Sequence, residues 1–233
     1  MSKHLRTDLQ KLEKHLLHLA ARVEENVRKA VAALLARDIE LAQAVIQSDD
    51  EIDRMEVELE EECLKMLALH QPVATDLRFI TVCLKIDSDL ERIGDLACNI
   101  AERALSLSQQ EPLPAHELLE SMMESSTRMV RRSLDAFVQG DSRTARAVCA
   151  ADDEVDRYNR TVIAELMTMM NENPETLERG VQLFSVSKSL ERIADHATNI
   201  AEDVVYMVEG EIIRHQGRSE DATPPNGRPF SDR

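Results

Sequence analysis

Apolar residues recur at intervals of three and four along most of the chain, which is the spacing of helices that bury one face. Over residues 4–36 these positions predict one long helix. Asp38 has a side chain suited to capping, and it predicts the start of a second helix that runs to about Leu69. Pro72 ends that helix, because proline clashes with the preceding turn. A third helix is predicted over about residues 74–107.

The same pattern restarts after a connector at residues 108–115. Gly140 and Asp141 mark the end of one helix and the start of the next. The three helices predicted in this half cover about residues 116–138, 142–170 and 175–213. Residues 217–233 contain three prolines and two glycines among polar residues, so the tail is predicted to be disordered. The predicted units are residues 1–110, residues 111–214 and a tail at 215–233.

Two segments occur twice at nearly the same offset. Residues 90–102 and 190–202 align without a gap and differ at three positions. Residues 49–54 read Asp-Asp-Glu-Ile-Asp-Arg, and residues 152–157 differ from them at one position. A repeat of this length indicates a duplicated structural unit. The predicted fold is therefore all-α, with six long helices arranged as two tandem three-helix bundles related by an internal pseudo-twofold repeat.

Composition narrows the class of protein. Aromatic residues make up 3% of the chain and there are 6 glycines, which favours helix over strand. The net charge of −16 argues against nucleic-acid binding, which needs a basic surface. The 4 cysteines show no Cys-x-x-Cys spacing and are interpreted as reduced thiols. Because neither a signal peptide nor a long apolar run is found, we expect a cytoplasmic protein without membrane insertion.

An unusual polar stripe lies within the first duplicated segment. A helical residue turns by about 100°, so Asp95, Asn99 and Glu102 fall within about 80° of Glu91. The isoleucines of the segment fall on the opposite side, which can enter a core. The corresponding stripe of the second segment contains Glu191, Asp195, Asn199 and Glu202.

Each predicted unit contains two acidic pairs at a spacing of four residues, on consecutive helices. The pairs are Asp49 with Asp53, Glu91 with Asp95, Asp152 with Asp156, and Glu191 with Asp195. Antiparallel neighbouring helices can bring two such pairs to one groove, where four carboxylates suit hard cations such as Mg²⁺, Mn²⁺ or iron. Salt bridges with the flanking arginines 54, 92, 157 and 192 are the competing interpretation.

Signatures of catalysis are few. His196 follows Asp195, but its counterpart is Leu96, so it is interpreted as a packed or solvated histidine rather than a ligand. Glycine-rich phosphate loops, nucleophile elbows and the Glu-x-x-His pattern of ferritin-like di-iron proteins are all missing from the sequence. These observations favour a protein that is not an enzyme.

With these motifs in view, the chain over about residues 4–213 resembles the PhoU family of bacterial phosphate-transport regulators. The resemblance lies in Asp-Leu-Arg at 76–78, Leu-Glu-Arg-Ile-Gly-Asp at 90–95 and the long motif at 190–202. It implies two tandem three-helix bundles, frequent dimerisation, and metal clusters bound through pairs of Glu/Asp-x-x-x-Asp motifs. Carried over, those motifs are the four acidic pairs named above, with Asn99, Glu102, Asn199 and Glu202 as weaker candidates.

The resemblance also implies a function. Such proteins repress the phosphate-starvation response by linking the ATPase of the phosphate ABC transporter to a membrane histidine kinase. Our preferred hypothesis is therefore a metal-binding, non-enzymatic adaptor in phosphate signalling, expected as a homodimer. The alternatives are an enzyme with a carboxylate-bridged metal centre and a metal-free helical scaffold whose acidic stripes dock basic surfaces.

Overall fold

The computed structural model describes residues 3–113 and 116–213. Within these ranges the chain forms α-helices, one 3₁₀ turn and no β-strand. The helices are α1 (Lys3–Ala36), α2 (Ile39–Gln47), α3 (Asp49–His70), α4 (Ala74–Leu107), α5 (His116–Gln139), α6 (Ser142–Cys149), α7 (Asp152–Glu172) and α8 (Leu177–Glu209), with the 3₁₀ turn at Pro174–Thr176. The all-α prediction is confirmed. The predicted tail at 215–233 lies outside the described residues.

The second and fifth predicted helices are each divided in two, which the sequence prediction missed. α2 and α3 are separated by Ser48, and α6 and α7 by residues 150–151. At Ser48 the hydroxyl donates to the carbonyl of Val45 at 2.7 Å and accepts from the amide of buried Asn26 at 2.8 Å. At residues 150–151 the N–H of Ala151 donates to the carbonyl of Val148, which tightens the turn. Both breaks fall directly before the Asp-Asp-Glu motifs.

Helix boundaries elsewhere follow local chemistry. The side chain of Asp38 accepts from the N–H of Leu41 and caps α2, as predicted. Asp141 caps α6 by accepting from the N–H groups of residues 143 and 144. The last helix ends at Glu209 rather than at 213, because Gly210 adopts a left-handed conformation with φ of 77°.

The described residues form two three-helix bundles, as predicted. α1, α3 and α4 pack together, as do α5, α7 and α8, and the two bundles meet where α4 lies against α8. The core is aliphatic and continuous across both bundles; fully buried members include Leu12, Leu16, Ile80, Ile86, Ile93, Leu119 and Met122. A core of this kind stabilises the fold chiefly through the burial of apolar surface.

Polar contacts fix the orientation of α4 against α8. Nζ of Lys85 lies 3.0 Å from Oδ1 of Asp203. At the other end of the contact, a guanidinium nitrogen of Arg103 donates to Gln182 at 3.2 Å. Residues early in α4 thus meet residues late in α8, and the reverse, so the two helices are antiparallel. No described helix is long and apolar enough to span a membrane.

Candidate metal centres

Three of the predicted acidic residues of the first bundle converge on one point. Asp49 and Asp53 occupy the first turns of α3, and Asp95 lies midway along α4. One carboxylate oxygen from each of the three lies within 4.8 Å of the others. The convergence follows from the antiparallel packing of α3 on α4 and from the helix break at Ser48, which places Asp49 at the start of α3.

The environment of Asp49 is unfavourable for an isolated carboxylate. Its Oδ1 is buried and accepts no hydrogen bond from the described residues. Burial is the largest cause that raises the pKa of Asp49, and the charges of Asp53 and Asp95 raise it further. A contact from the Cys98 thiol partly opposes this rise, although that thiol also lies 3.8 Å from the carbonyl of Val45. An orphaned, buried oxygen facing two acids fits a bound cation.

Glu91 lies at the edge of this cluster. Its pKa is raised first by burial and then by the charge of Asp95, with smaller effects from Glu56 and Asp53. Arg92 contacts it at 3.2 Å and contacts Asp95 at 3.3 Å. Arg92 is more than half exposed, so these ion pairs are worth about 1 kcal/mol or less. The predicted salt bridge of Arg92 is therefore present, and so is the cluster of Asp49, Asp53 and Asp95 next to it.

The four predicted acids of the second bundle influence one another electrostatically, but among the described residues only Asp49, Asp53 and Asp95 bring three ligand oxygens within 4.8 Å of one another. Burial raises the pKa of Asp152 to about 6, and the charges of Asp195 and Asp156 add to the effect. The pKa of Asp195 is also raised, first by partial burial and then by the charge of Glu191. These mutual effects place the two pairs of the second bundle near one another, on α7 and α8.

The two clusters differ at one corner. In the second bundle, Nζ of Lys188 lies 2.8 Å and 2.7 Å from the two carboxylate oxygens of Glu191. The amide of Asn159 also donates to Glu191, at 3.2 Å. Two of the other flanking arginines do not pair with the acids of the four motifs. Arg157 approaches Glu154 at 3.9 Å, and Arg54 donates to the backbone carbonyl of Asp50. The two repeats are thus close in sequence, but different cations contact their corresponding acids.

The weaker candidates lie further along the same helices. Asn99 is half-buried one turn beyond Asp95, and Glu102 is exposed and contacts Arg103 at 3.4 Å. The amide of Asn199 donates to Asp89 of the other bundle at 3.2 Å. Glu202 lines a small cavity between α4 and α8. That these four residues bind metal stays a prediction. The hydrogen bond from Asn199 to Asp89 argues against a role of Asn199 as a metal ligand.

His196 takes part in the contact between the bundles. Its Nδ1 lies 2.8 Å from Oδ1 of Asp89, and both side chains are less than one-fifth exposed. The prediction that this histidine packs is in accord with its position. Sequence reasoning missed Asp89, although one signal was available: it falls on the apolar face of α4, where a carboxylate requires a partner.

The donor set defines what the clusters can do chemically. Carboxylate oxygens are the ligands that hard cations prefer, and the oxygens of Asp49, Asp53 and Asp95 are close enough to share one. A bound cation would neutralise the repulsion between like charges on α3 and α4 and hold the two helices together. Mg²⁺, Mn²⁺ and iron all fit this donor set, and metal binding itself stays a prediction.

Comparison with known proteins places the chain in a family. Residues 16–104 and 119–204 match the family model described as the PhoU domain. The chain belongs to the PhoU family. The resemblance found in the duplicated motifs is therefore confirmed, and each matched segment falls within one three-helix bundle.

Relatives in the PhoU family are similar over nearly their whole length. The phosphate-specific transport system accessory protein PhoU homolog of Aquifex aeolicus is 43% identical over 209 residues, which cover 90% of this chain and 95% of the relative. The homolog of Pseudomonas putida is 40% identical over 218 residues, covering 93% and 85%. The accessory protein PhoU of Escherichia coli is 33% identical over 224 residues, covering 94% and 93%.

Solved PhoU structures share the fold. The crystal structure of PhoU from Pseudomonas aeruginosa superposes with a TM-score of 0.87 at 40% identity, covering 88% of this chain and 99% of that one. The phosphate transport system regulatory protein PhoU from Streptococcus pneumoniae superposes with a TM-score of 0.84 at 32% identity, covering 90% and 99%. The tandem arrangement of bundles is therefore shared with PhoU proteins of known structure.

Proposed function

We propose that this chain is a cytoplasmic, metal-binding adaptor that represses the phosphate-starvation response. It would link the ATPase of a phosphate ABC transporter to a phosphate-sensing histidine kinase. Two lines support the proposal. Relatives over most of the chain are named phosphate-specific transport system accessory proteins. The acids of the first bundle also converge between α3 and α4, and those of the second bundle influence one another electrostatically.

The convergence of Asp49, Asp53 and Asp95 is the observation that carries the metal-binding part of the proposal. These residues span two helices, so a cation bound to them bridges α3 and α4 directly. When the cation is lost, like charges face each other between α3 and α4. Their repulsion then loosens the contact between the two helices. Metal occupancy can in this way set the stiffness of the surface that a partner protein meets.

The proposed role is not enzymatic. The relatives are named as accessory and regulatory proteins. In the clusters, the acids face other acids, and the nearby thiol of Cys98 has its pKa raised by burial, which makes it a poor nucleophile. The cation would therefore act through structure and charge. The expected assembly into a homodimer would act in the same way.

A metal-free acidic scaffold is the second candidate function, and one observation favours it. Lys188 already neutralises Glu191 in the second bundle, so part of that cluster is satisfied without an added cation. On this account the exposed acids of α3 and α7 would dock a basic partner surface.

Element analysis of purified protein separates the two candidates. We expect the wild type to retain or rebind Mn²⁺, Mg²⁺ or iron, and D53N/D95N and D156N/D195N each to lose the metal of its own bundle. D50N/D153N is the matched control, because Asp50 and Asp153 are exposed acids in the same first turns. A wild type that binds no such ion after metal addition supports the scaffold instead.

Partner binding is tested separately. The full chain is used as bait for the transporter ATPase and for the kinase, at high and at low phosphate. We expect capture of both partners, with a dependence on phosphate. Failure to capture either one under all conditions would count against the adaptor, whatever the metal content.

A further inference from the structure

Asp87 of α4 is a buried carboxylate outside the predicted metal ligands. It is 1% exposed, and its Oδ1 is buried without a hydrogen-bond partner among the described residues. Buried carboxylates are costly unless they are paired, hydrogen-bonded or coordinated to a metal. Asp87 lies one helical turn before Glu91, so it continues the row of acids formed by Glu91 and Asp95.

The surroundings of Asp87 are acidic. Burial raises the pKa of Asp87 to about 8, and the charges of Glu56, Glu60 and Glu91 add to the rise in that order. Glu56 and Glu60 lie one turn apart on α3, facing this part of α4. Arg92 is the cation that lowers the pKa of Glu56, but it is largely exposed and already contacts Glu91. The groove thus gathers four acids and supplies little compensating positive charge.

The second bundle shows how the same position can be satisfied without a cation. The residues there are neutral: Ser187 corresponds to Asp87, and Asn159 corresponds to Glu56. The hydroxyl of Ser187 donates to Asn159 at 2.8 Å, and the amide of Asn159 donates to Glu191 at 3.2 Å. Lys188 then neutralises Glu191, whereas the first bundle has Ser88 at that position. Ser187 thus has a hydrogen-bond partner, whereas the buried Oδ1 of Asp87 in the first bundle has none among the described residues.

We propose that Asp87, Glu56 and Glu60, with Glu91 as a shared carboxylate, hold one further hard divalent cation in the first bundle only. The site adjoins the cluster of Asp49, Asp53 and Asp95 and would be linked to it through Glu91. Carboxylate ligands from two facing helices, completed by water, suit Mn²⁺ or Mg²⁺. The inference rests on the proposed metal binding, and it adds that the two bundles bind unequal numbers of ions.

The test is the number of Mn²⁺ ions bound by the full chain, counted from the free-Mn²⁺ electron paramagnetic resonance signal during a titration. D87N keeps the shape of the side chain, and D87S/E56N reproduces part of the second bundle. We expect both variants to bind one ion fewer than the wild type, because Glu91 and the cluster of Asp49, Asp53 and Asp95 are unchanged. S187A, at the position of the second bundle that corresponds to Asp87, is the matched control and should bind as many ions as the wild type.

Thermal unfolding provides a readout that does not depend on counting ions. Without metal, D87N should unfold at the same or a higher temperature than the wild type, because an amide is neutral at every pH and replaces a carboxyl whose charged form is disfavoured by burial. With saturating Mn²⁺, the wild type should gain more than D87N. A D87N protein that binds as many ions as the wild type and gains equally overturns this inference alone. A wild type that binds no Mn²⁺ overturns it together with the proposed metal binding.

Discussion

Ile52 of α3 packs directly against the backbone of Gly94 of α4. A β-carbon added at Gly94 would lie 3.3 Å and 3.4 Å from two carbons of the Ile52 side chain. In the second bundle the corresponding residues are Val155 and Ala194, both fully buried. The larger side chain thus stands opposite glycine in one bundle, and the smaller one opposite alanine in the other. This complementarity lets α3 and α4 approach closely beside the carboxylate cluster.

The first prediction concerns this contact. G94A should lower the free energy of unfolding by about 1 kcal/mol, because the cost of overpacking exceeds the gain in helix propensity. The loss should vanish in I52V/G94A, which copies the second bundle. Denaturant unfolding of the wild type, both single variants and the double variant measures the coupling between the two sites. Equal stability of G94A and wild type would show that α3 moves away without cost.

A second prediction concerns the contact between the bundles. Oδ1 of Asp89 accepts from Asn199 at 3.2 Å and lies 2.8 Å from Nδ1 of His196. D89A removes the partner of both side chains and should lower the free energy of unfolding by about 1–3 kcal/mol. S189A, at the equivalent position of the second bundle, is the control and should cost less. If the two variants were equally stable in denaturant unfolding, the contact would carry no net stabilisation.

Hydrophobic periodicity was enough to predict most of the helices, because local spacing sets which face is buried, and the duplicated motifs predicted the tandem bundles. It missed the breaks at Ser48 and residues 150–151, where no proline or glycine marks a stop. The break at Ser48 involves a hydrogen bond with Asn26 of α1, a tertiary contact that a linear pattern does not show. The end of α8 at Gly210 did carry a local signal, since glycine is common at this position.

The acidic pairs were recognisable because the repeat displayed them twice. Asp87 was not, because its counterpart is Ser187 and a search for shared residues passes over it. Its spacing of four residues from Glu91 was nevertheless visible. The inequality of the two clusters depends on which side chain reaches Glu91 or Glu191, and that follows from packing. Sequence spacing therefore places acids on one helical face but does not decide which of them are neutralised.

A third prediction is the pH dependence of the metal-free protein. The pKa of Asp152 rises from 3.8 to about 6, first through burial and then through the charge of Asp195. The folded protein therefore holds this proton more tightly than the unfolded chain. The free energy of unfolding should fall as the pH rises from about 4 to about 6, and this group should add no further slope above that range.

Substitution at Asp152 isolates this contribution. D152N should flatten the slope between pH 4 and 6 and raise the stability at pH 7 by about 1 kcal/mol, a figure reduced for solvent screening. D50N, at the corresponding exposed position of the first bundle, is the control and should keep the slope. Unfolding by denaturant in a chelating buffer, repeated across this range, gives the measurement. An unchanged slope in D152N would assign the pH dependence to other groups.

The fourth prediction uses the inequality between the clusters. Nζ of Lys188 contacts both oxygens of Glu191, so a cation entering the second cluster competes with an ammonium group already in place. K188M removes that competitor while keeping the length of the side chain. It should tighten Mn²⁺ binding by the second cluster about three- to tenfold, which corresponds to about 1 kcal/mol.

The measurement is made in the D53N/D95N background, so that the cluster of Asp49 in the first bundle contributes little. R192M is the matched control, because Arg192 is an exposed cation on the same helix and should leave the affinity unchanged. An equal gain in both variants would indicate a general effect of net charge, which screening by salt would diminish. A gain confined to K188M would show instead that a local ammonium sets the affinity, so that two clusters with the same acidic motifs bind cations with different strength.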